Sequence, residues 1–187
     1  MVAIAASAGG LQALRQVLGG LPTSFPAAVL VAQHLPPQNT FLVELLRPHS
    51  RLPVKYAEEG EPLAKGAVFV APPGRHLEVD PDGRLSVSDS EKIRFVRPSA
   101  NLLFNSLAVT FGQRGVAVVL TGMGQDGADG VKAVRRWGGY VIAQDPETSL
   151  HVGMPRAAID THKVDLVLPL RDISFALSVL TGSPSLG

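Results

Sequence analysis

Ser7, His34 and Asp126 are the residues of this chain whose types, taken together, could do covalent chemistry. A hydroxyl beside an imidazole that is oriented by a carboxylate is the working set of acyl transfer. The imidazole removes the hydroxyl proton and the oxygen attacks a carbonyl. The carboxylate fixes the tautomer and stabilises the imidazolium that forms. Ser7 opens Ser7-Ala8-Gly9-Gly10, His34 lies in Gln33-His34-Leu35-Pro36-Pro37, and Asp126 lies in Thr121-Gly122-Met123-Gly124-Gln125-Asp126-Gly127. Each has a plainer use as well: Ser7 as a helix cap, His34 as a loop histidine with one backbone bond, Asp126 as the N-cap of a helix opening near Gly127. Asp129 is the nearest rival acid, but it falls in a first helical turn, where acids are common.

The set can act only if the elements before it bring its members together. Short runs rich in Val, Ile and Ala occupy 2–6, 27–32 and 116–120, directly ahead of the three segments. Such runs suit strands buried on both faces of a parallel sheet. The three turns then share the carboxyl edge, where open α/β sheets bind ligands. There the first amides of the helix after Gly10 would face Ser7 and stabilise an oxyanion.

Helix-like and strand-like segments alternate along the rest of the chain, which predicts a doubly wound α/β fold with a mainly parallel sheet. Leu11, Leu14, Val17 and Leu18 mark a helix stopped by Gly19-Gly20 and Pro22. A second helix, capped by Asn39 or Thr40, would bury Phe41, Leu42, Leu45 and Leu46 and end at Pro48. Strands are expected at 53–57 and 67–71, then an added antiparallel hairpin, 76–80 with 84–88, turning at Pro81-Asp82-Gly83. Residues 89–98 read as polar and irregular. Ser99 caps a helix carrying Leu102, Leu103, Leu107 and Val109 and closing near Gly112. A further helix contains Val131, Val134 and Trp137 and ends at Gly138-Gly139. Strands at 140–144 and 164–168 flank a short helix at 156–159, and a last helix spans 173–180 before a tail from 182.

Composition narrows the class. With 187 residues the chain is expected to form one domain over 1–187. A net charge of +1 gives no footprint for nucleic acid. The absence of cysteine excludes a disulfide framework, a thiol nucleophile and a thiolate metal site. His49, His76, His151 and His162 show no metal-ligand spacing, so neither metal nor cofactor is expected. No run approaches the ~20 apolar residues of a membrane span, and no signal peptide opens the chain, so a cytoplasmic protein without membrane insertion is the expectation. One motif competes: Gly122-Met123-Gly124-Gln125-Asp126-Gly127 matches G-x-G-x-x-G, with Asp145 at the end of the next strand. That is the pattern of a dinucleotide-binding turn. A carboxylate inside a diphosphate cradle, with no lysine or arginine in the loop, counts against it.

Taken together, Ala6-Ser7-Ala8-Gly9-Gly10, Gln33-His34-Leu35-Pro36-Pro37 and Leu120-Thr121-Gly122-Met123-Gly124-Gln125-Asp126-Gly127 resemble the catalytic domain of the CheB-type protein-glutamate methylesterases of chemotaxis. Val70-Ala71-Pro72-Pro73-Gly74, Arg97-Pro98-Ser99, Ile142-Ala143-Gln144-Asp145 and Gly153-Met154-Pro155-Arg156 extend the likeness from Val2 to about residue 180. The resemblance implies a serine hydrolase that removes methyl groups from glutamate γ-methyl esters on the cytoplasmic helices of chemoreceptors. In some members it also implies deamidation of receptor glutamines. It assigns Ser7 as nucleophile, His34 as base, Asp126 as orienting acid, and Met123 as a loop residue that shapes the site and its oxyanion pocket. It also implies control by a receiver domain, which is not part of this chain. Ala8 stands where the family often has threonine, Gln125 where asparagine is frequent, and Phe95-Val96 where a His-Arg pair is common. Arg75 and Arg97 are candidates for steering an acidic receptor. The alternatives are a non-catalytic module that binds a receptor or regulator, and the dinucleotide-binding domain.

Overall fold

Alternation of buried side chains on two faces organises the chain. In the computed structural model, which describes residues 1–36, 38 and 40–182, nine strands and six α-helices follow one another along the chain. The first units are β1 (Val2–Ala6), α1 (Gly10–Gly20), β2 (Val29–Gln33), α2 (Leu42–Leu46), β3 (Val54–Tyr56) and β4 (Val68–Val70). Next come the hairpin strands β5 (His76–Val79) and β6 (Leu85–Ser88), then α3 (Ala100–Phe111), β7 (Val116–Val119) and α4 (Ala128–Arg136). The chain closes with β8 (Tyr140–Gln144), α5 (Gly153–Ile159), β9 (Leu166–Leu168) and α6 (Ile173–Leu180).

Seven strands form one parallel sheet in the order β3-β4-β2-β1-β7-β8-β9, and β5 and β6 pair separately as an antiparallel hairpin. The expected architecture is therefore present. Val2, Ile4 and Ala6 with Val29, Val31, Val116 and Val118 face α1, α2 and α6. The alternate positions Ala3, Ala5, Ala28, Ala32 and Ala117 face α3, α4, α5 and the hairpin. Alanine on that second face leaves room for the buried Leu103, Phe104 and Leu107 of α3. The strand order reverses between β1 and β7, and the crevice beyond the carboxyl ends at such a switch point is the standing ligand site of open α/β sheets.

Several local expectations are corrected. Phe41 and Leu45 are exposed, and α2 buries Leu42, Val43 and Leu46 instead. With only five residues the helix turns a single narrow face inward. Its N-cap is Phe41 rather than Thr40, while Asn39 lies outside the described residues, as do Pro37 and the tail 183–187. Val109 points to solvent, because α3 buries Ala100, Leu103, Phe104, Leu107 and Ala108. Trp137 is the half-exposed C-cap of α4 rather than a member of its buried face. Residues 89–98 are not wholly irregular: Ile93 and Val96 exchange two backbone hydrogen bonds of 3.1 Å around a two-residue turn.

α3 and α4 meet at Gly130, where an added Cβ would stand 2.6 Å from the Cβ of Phe104. No rotamer of Phe104 moves that atom. Gly130→Ala is expected to lower stability by about 1–3 kcal/mol, because overpacking outweighs the gain in helix propensity. Denaturant unfolding of both proteins measures it, and an unchanged or higher midpoint would refute the close approach.

Candidate active site

Strand register decides which side chains meet. β1 and β2 pair in parallel with Ala6 opposite Gln33, so Ser7 and His34 follow as neighbours one step beyond the sheet. The His34 amide donates to the Ala6 carbonyl at 3.0 Å, and the Ser7 amide donates to the Thr121 carbonyl at 3.0 Å. The three turns are thereby tied to one another. Gln33 reinforces the tie from the last position of β2: its Nε2 donates to the carbonyls of Ser7 at 2.8 Å and His34 at 3.1 Å. Its Oε1 rests where a Cβ on Gly10 would lie 2.1 Å away, so glycine is required there. The Thr121 hydroxyl bridges the carbonyls of Ala8 at 3.1 Å and His151 at 3.2 Å and accepts from the His151 amide at 2.9 Å.

His34 and Asp126 are joined directly, with Nε2 2.9 Å from Oδ2. The carboxylate is buried and held on its other sides by the first turn of α3. Ala100 N–H donates to Oδ2 at 2.6 Å, Asn101 N–H to Oδ1 at 3.2 Å, and the Ser99 hydroxyl to Oδ1 at 3.2 Å. Burial by itself would push the carboxyl up. The bonds from His34, Ala100 and Asn101 outweigh that and hold it below its ordinary value. An ionised Asp126 can only accept, so the shared proton sits on His34 Nε2 and leaves Nδ1 with its lone pair.

The expected N-cap positions of Ser7 and Asp126 are filled by other residues. Gly9, not Ser7, is the N-cap of α1, and it makes no side-chain cap bond. Gly127, not Asp126, is the N-cap of α4. Asp126 does cap a helix, but it caps α3 rather than its own. Asn101 returns the arrangement: its Oδ1 accepts from the amides of Gly127 at 3.1 Å and Gly130 at 2.9 Å, at the start of α4. Behind them, the fully buried His76 accepts from the Ser99 amide through Nδ1 at 3.0 Å and meets the Glu91 carbonyl through Nε2 at 3.1 Å. Asn101 and His76 escaped the sequence reading. Asn101 carried one signal, a polar side chain ahead of the apolar run Leu102-Leu103-Phe104 in the first turn of α3; His76 carried none.

Other expectations change too. The Gly10 amide is taken by the Ser7 carbonyl at 2.8 Å, so the first amide of α1 is not free for an oxyanion. Met123 is exposed beside Gly122, whose added Cβ would lie 2.8 Å from the Ser7 Cβ and 2.3 Å from the Met154 sulfur. Arg97 is turned to its own segment: its Nη1 donates to the carbonyls of Ser90, at 2.7 Å, and Asp89, while its buried Nε has no partner among the described residues. Arg75 is exposed. Two glycines of the G-x-G-x-x-G match pack closely, Gly122 against Met154 and Ser7 and Gly127 against Phe104 and Ala100, while Gly124 has open space around it and a positive φ of 81°. Asp145 caps the short turn after β8 by accepting from the Glu147 amide at 2.9 Å. The loop is thus a mount for Asp126 and not a diphosphate cradle. Among the described residues, no group of three or more His, Asp or Glu side chains could hold a metal ion, and no helix is long and apolar enough to cross a membrane.

Ser7 and His34 border one open depression of about 500 Å³. His34 also walls a second of about 340 Å³, with Leu35, Pro36, Gly74 and Val96. A doubly wound sheet that gathers a hydroxyl, an imidazole and a buried carboxylate at its switch point makes this an α/β protein with its candidate site at the carboxyl edge. The chain belongs to the CheB methylesterase family, whose model matches residues 2–177. It is 43% identical over 179 residues to the protein-glutamate methylesterase/protein-glutamine glutaminase 4 of Myxococcus xanthus, covering 95% of this chain and 51% of that one. It is 41% identical to the protein-glutamate methylesterase/protein-glutamine glutaminase of Pyrococcus abyssi, covering 100% of this chain and 53% of that one. The chain thus spans about half the length of the curated relatives it matches. The crystal structure of the Thermotoga maritima CheB methylesterase catalytic domain superposes with a TM-score of 0.92 at 39% identity, over 96% of this chain and 97% of that one.

Because Asp126 is depressed in the fold, its contribution to stability is complete above the unfolded carboxyl value of 3.8 and is lost as pH falls through the lower folded value. The stability difference between the wild type and Asp126→Asn should therefore shrink as the pH is lowered below about 3.8. Urea unfolding across that range reads it, and a difference that grows on acidification would contradict the assignment.

Proposed function

We propose that the chain hydrolyses γ-methyl esters of glutamate on the cytoplasmic helices of chemoreceptors, with Ser7 as nucleophile, His34 as base and Asp126 as orienting acid. The observation that carries this reading is the 2.9 Å bond between His34 and a buried carboxylate, which that bond and the first amides of α3 together hold below its ordinary value. With the Nε2 proton fixed by Asp126, the Nδ1 lone pair takes the Ser7 proton as Oγ attacks the ester carbonyl. The ring then returns that proton to the departing methoxide, releasing methanol and leaving an acyl-enzyme. Water, deprotonated by the same nitrogen, attacks the acyl carbon and frees the glutamate carboxylate.

The Ser7 hydroxyl and the His34 ring are not hydrogen-bonded in this structure, and such contacts commonly close only on substrate. The amides of Ala8 and Gly9 have no acceptor among the described residues, which supports a place for the oxyanion beside Ser7. Met123 is assigned to shaping that pocket from the loop after β7. The same steps on a glutamine side chain would expel ammonia, and the names of the Myxococcus and Pyrococcus relatives support this second activity. Regulation is assigned to a receiver domain acting on this edge, and the site of action to the cytoplasm.

Ser7→Ala should abolish methanol release from a methylated receptor fragment while circular dichroism and thermal unfolding stay unchanged. Asp126→Asn should lower kcat by roughly 10³–10⁴-fold, the scale of a lost tautomer in other triads. Turnover in Ser7→Ala at the wild-type rate would end the proposal.

A further inference from the structure

The turn at Ile93–Val96 has a shape that folding alone does not explain. Arg94 and Phe95 have φ of 48° and 72°, the left-handed signature of a type I′ turn, where Asn-Gly is the favoured pair. Neither bulky side chain suits that backbone. Phe95 gains no packing in return, since it is 93% exposed. The turn is nevertheless braced on both flanks. The Arg94 guanidinium pairs with Asp129 of α4 at 2.8 Å, Arg97 holds the carbonyls of Asp89 and Ser90, and His76 holds that of Glu91. Strain kept in place by surrounding contacts marks a functional element.

We propose that this turn is a docking finger for the substrate protein. Phe95 enters the apolar stripe of an amphipathic, acidic α-helix that carries the esterified glutamate. The proposal rests on the esterase reading of Ser7, His34 and Asp126. Continuity with the site is its first support: Val96 and Arg97, next to Phe95, wall the same cleft as His34. Charge is the second. Lys92, which lines the cleft with Phe95, and Arg75, the neighbour of its wall residue Gly74, are exposed and have no acidic partner among the described residues. Each turnover leaves a new carboxylate on the partner, so the partner segment is acidic. The apolar surface on the opposite side of Ser7 is the third. Leu150 is 74% exposed and sits against Gly9, and Met123 is 66% exposed beside Gly122. Apolar contacts on both sides of the nucleophile, with cations at one of them, match one striped face of a helix laid across the crevice.

Phe95→Gly separates docking from folding, because glycine suits the positive φ and should leave the melting temperature unchanged or higher. For a purified methylated receptor cytoplasmic fragment, kcat/KM for methanol release should fall roughly tenfold, mainly through KM, the scale of a lost aromatic anchor. Hydrolysis of p-nitrophenyl acetate, which is too small to reach the finger, should stay within about twofold, less than a single lost contact costs. Phe95→Leu should retain most receptor activity. An unchanged kcat/KM on the receptor fragment overturns the proposal, and so does an equal fall on both substrates. Lost self-association in Phe95→Gly with receptor kinetics intact would assign the finger to a second copy and overturn it as well. If the wild type hydrolyses neither substrate, the esterase reading fails by itself. Docking is then read by binding of the same fragment, where weakened binding by Phe95→Gly supports the finger and unchanged binding overturns it.

Discussion

Two helices that begin at the same point and cap each other hold the site in place. Asp126, in the loop before α4, takes the first two amides of α3, while Asn101, in the first turn of α3, takes two amides at the start of α4. Ser99 accounts for the next two amides of α3, accepting from Leu102 through its hydroxyl at 3.5 Å and from Leu103 through its carbonyl at 3.3 Å. Each helix start would otherwise bury donors without partners, at about 1–3 kcal/mol apiece. The imidazole is the last ligand of a carboxylate whose position is already decided by backbone.

A second set of bonds fixes the turn that holds Ser7. Buried glutamines end β2 and β8, and a buried threonine follows β7. Gln33 holds the Ser7 carbonyl, Gln144 accepts from the Thr121 amide at 2.8 Å, and Thr121 joins the Ala8 turn to the His151 loop. Parallel strands leave their last carbonyls and amides unpaired at the carboxyl edge, and short polar side chains there satisfy them. The crevice is therefore rigid where the acyl group would sit. It is open where a partner would approach, since Phe95, Leu150 and Met123 lie outside both sets of bonds.

The sheet was legible in the chain because buried parallel strands write themselves as unbroken Val, Ile and Ala runs. Glycine and proline pairs marked where the helices stop. The closeness of the Ser7 and His34 turns followed from the same runs, since register carries the ends of β1 and β2 side by side. What stayed hidden depends on partners far apart in sequence. Asp126 looked like the cap of the nearest helix, and only the tertiary fold reveals that it serves α3. His76 read as an ordinary hairpin residue, although it is buried against Ser99. Phe41 and Leu45 have helical spacing and apolar character, yet a one-turn helix has no second row to bury. The turn at Arg94-Phe95 lacks every residue that normally announces its type, so no local pattern could have disclosed it.

The carboxylate that bonds His34 also takes the first two amides of α3. Many catalytic groups burden the fold that carries them, and losing them tends to stabilise it. Here the bond to His34 and the bond to the helix fall on the same oxygen, Oδ2 of Asp126. A descendant that lost its chemistry would still be under pressure to keep an acid at this position. Across related chains, an aspartate there therefore testifies first to an intact α3–α4 junction, and by itself says nothing of chemistry.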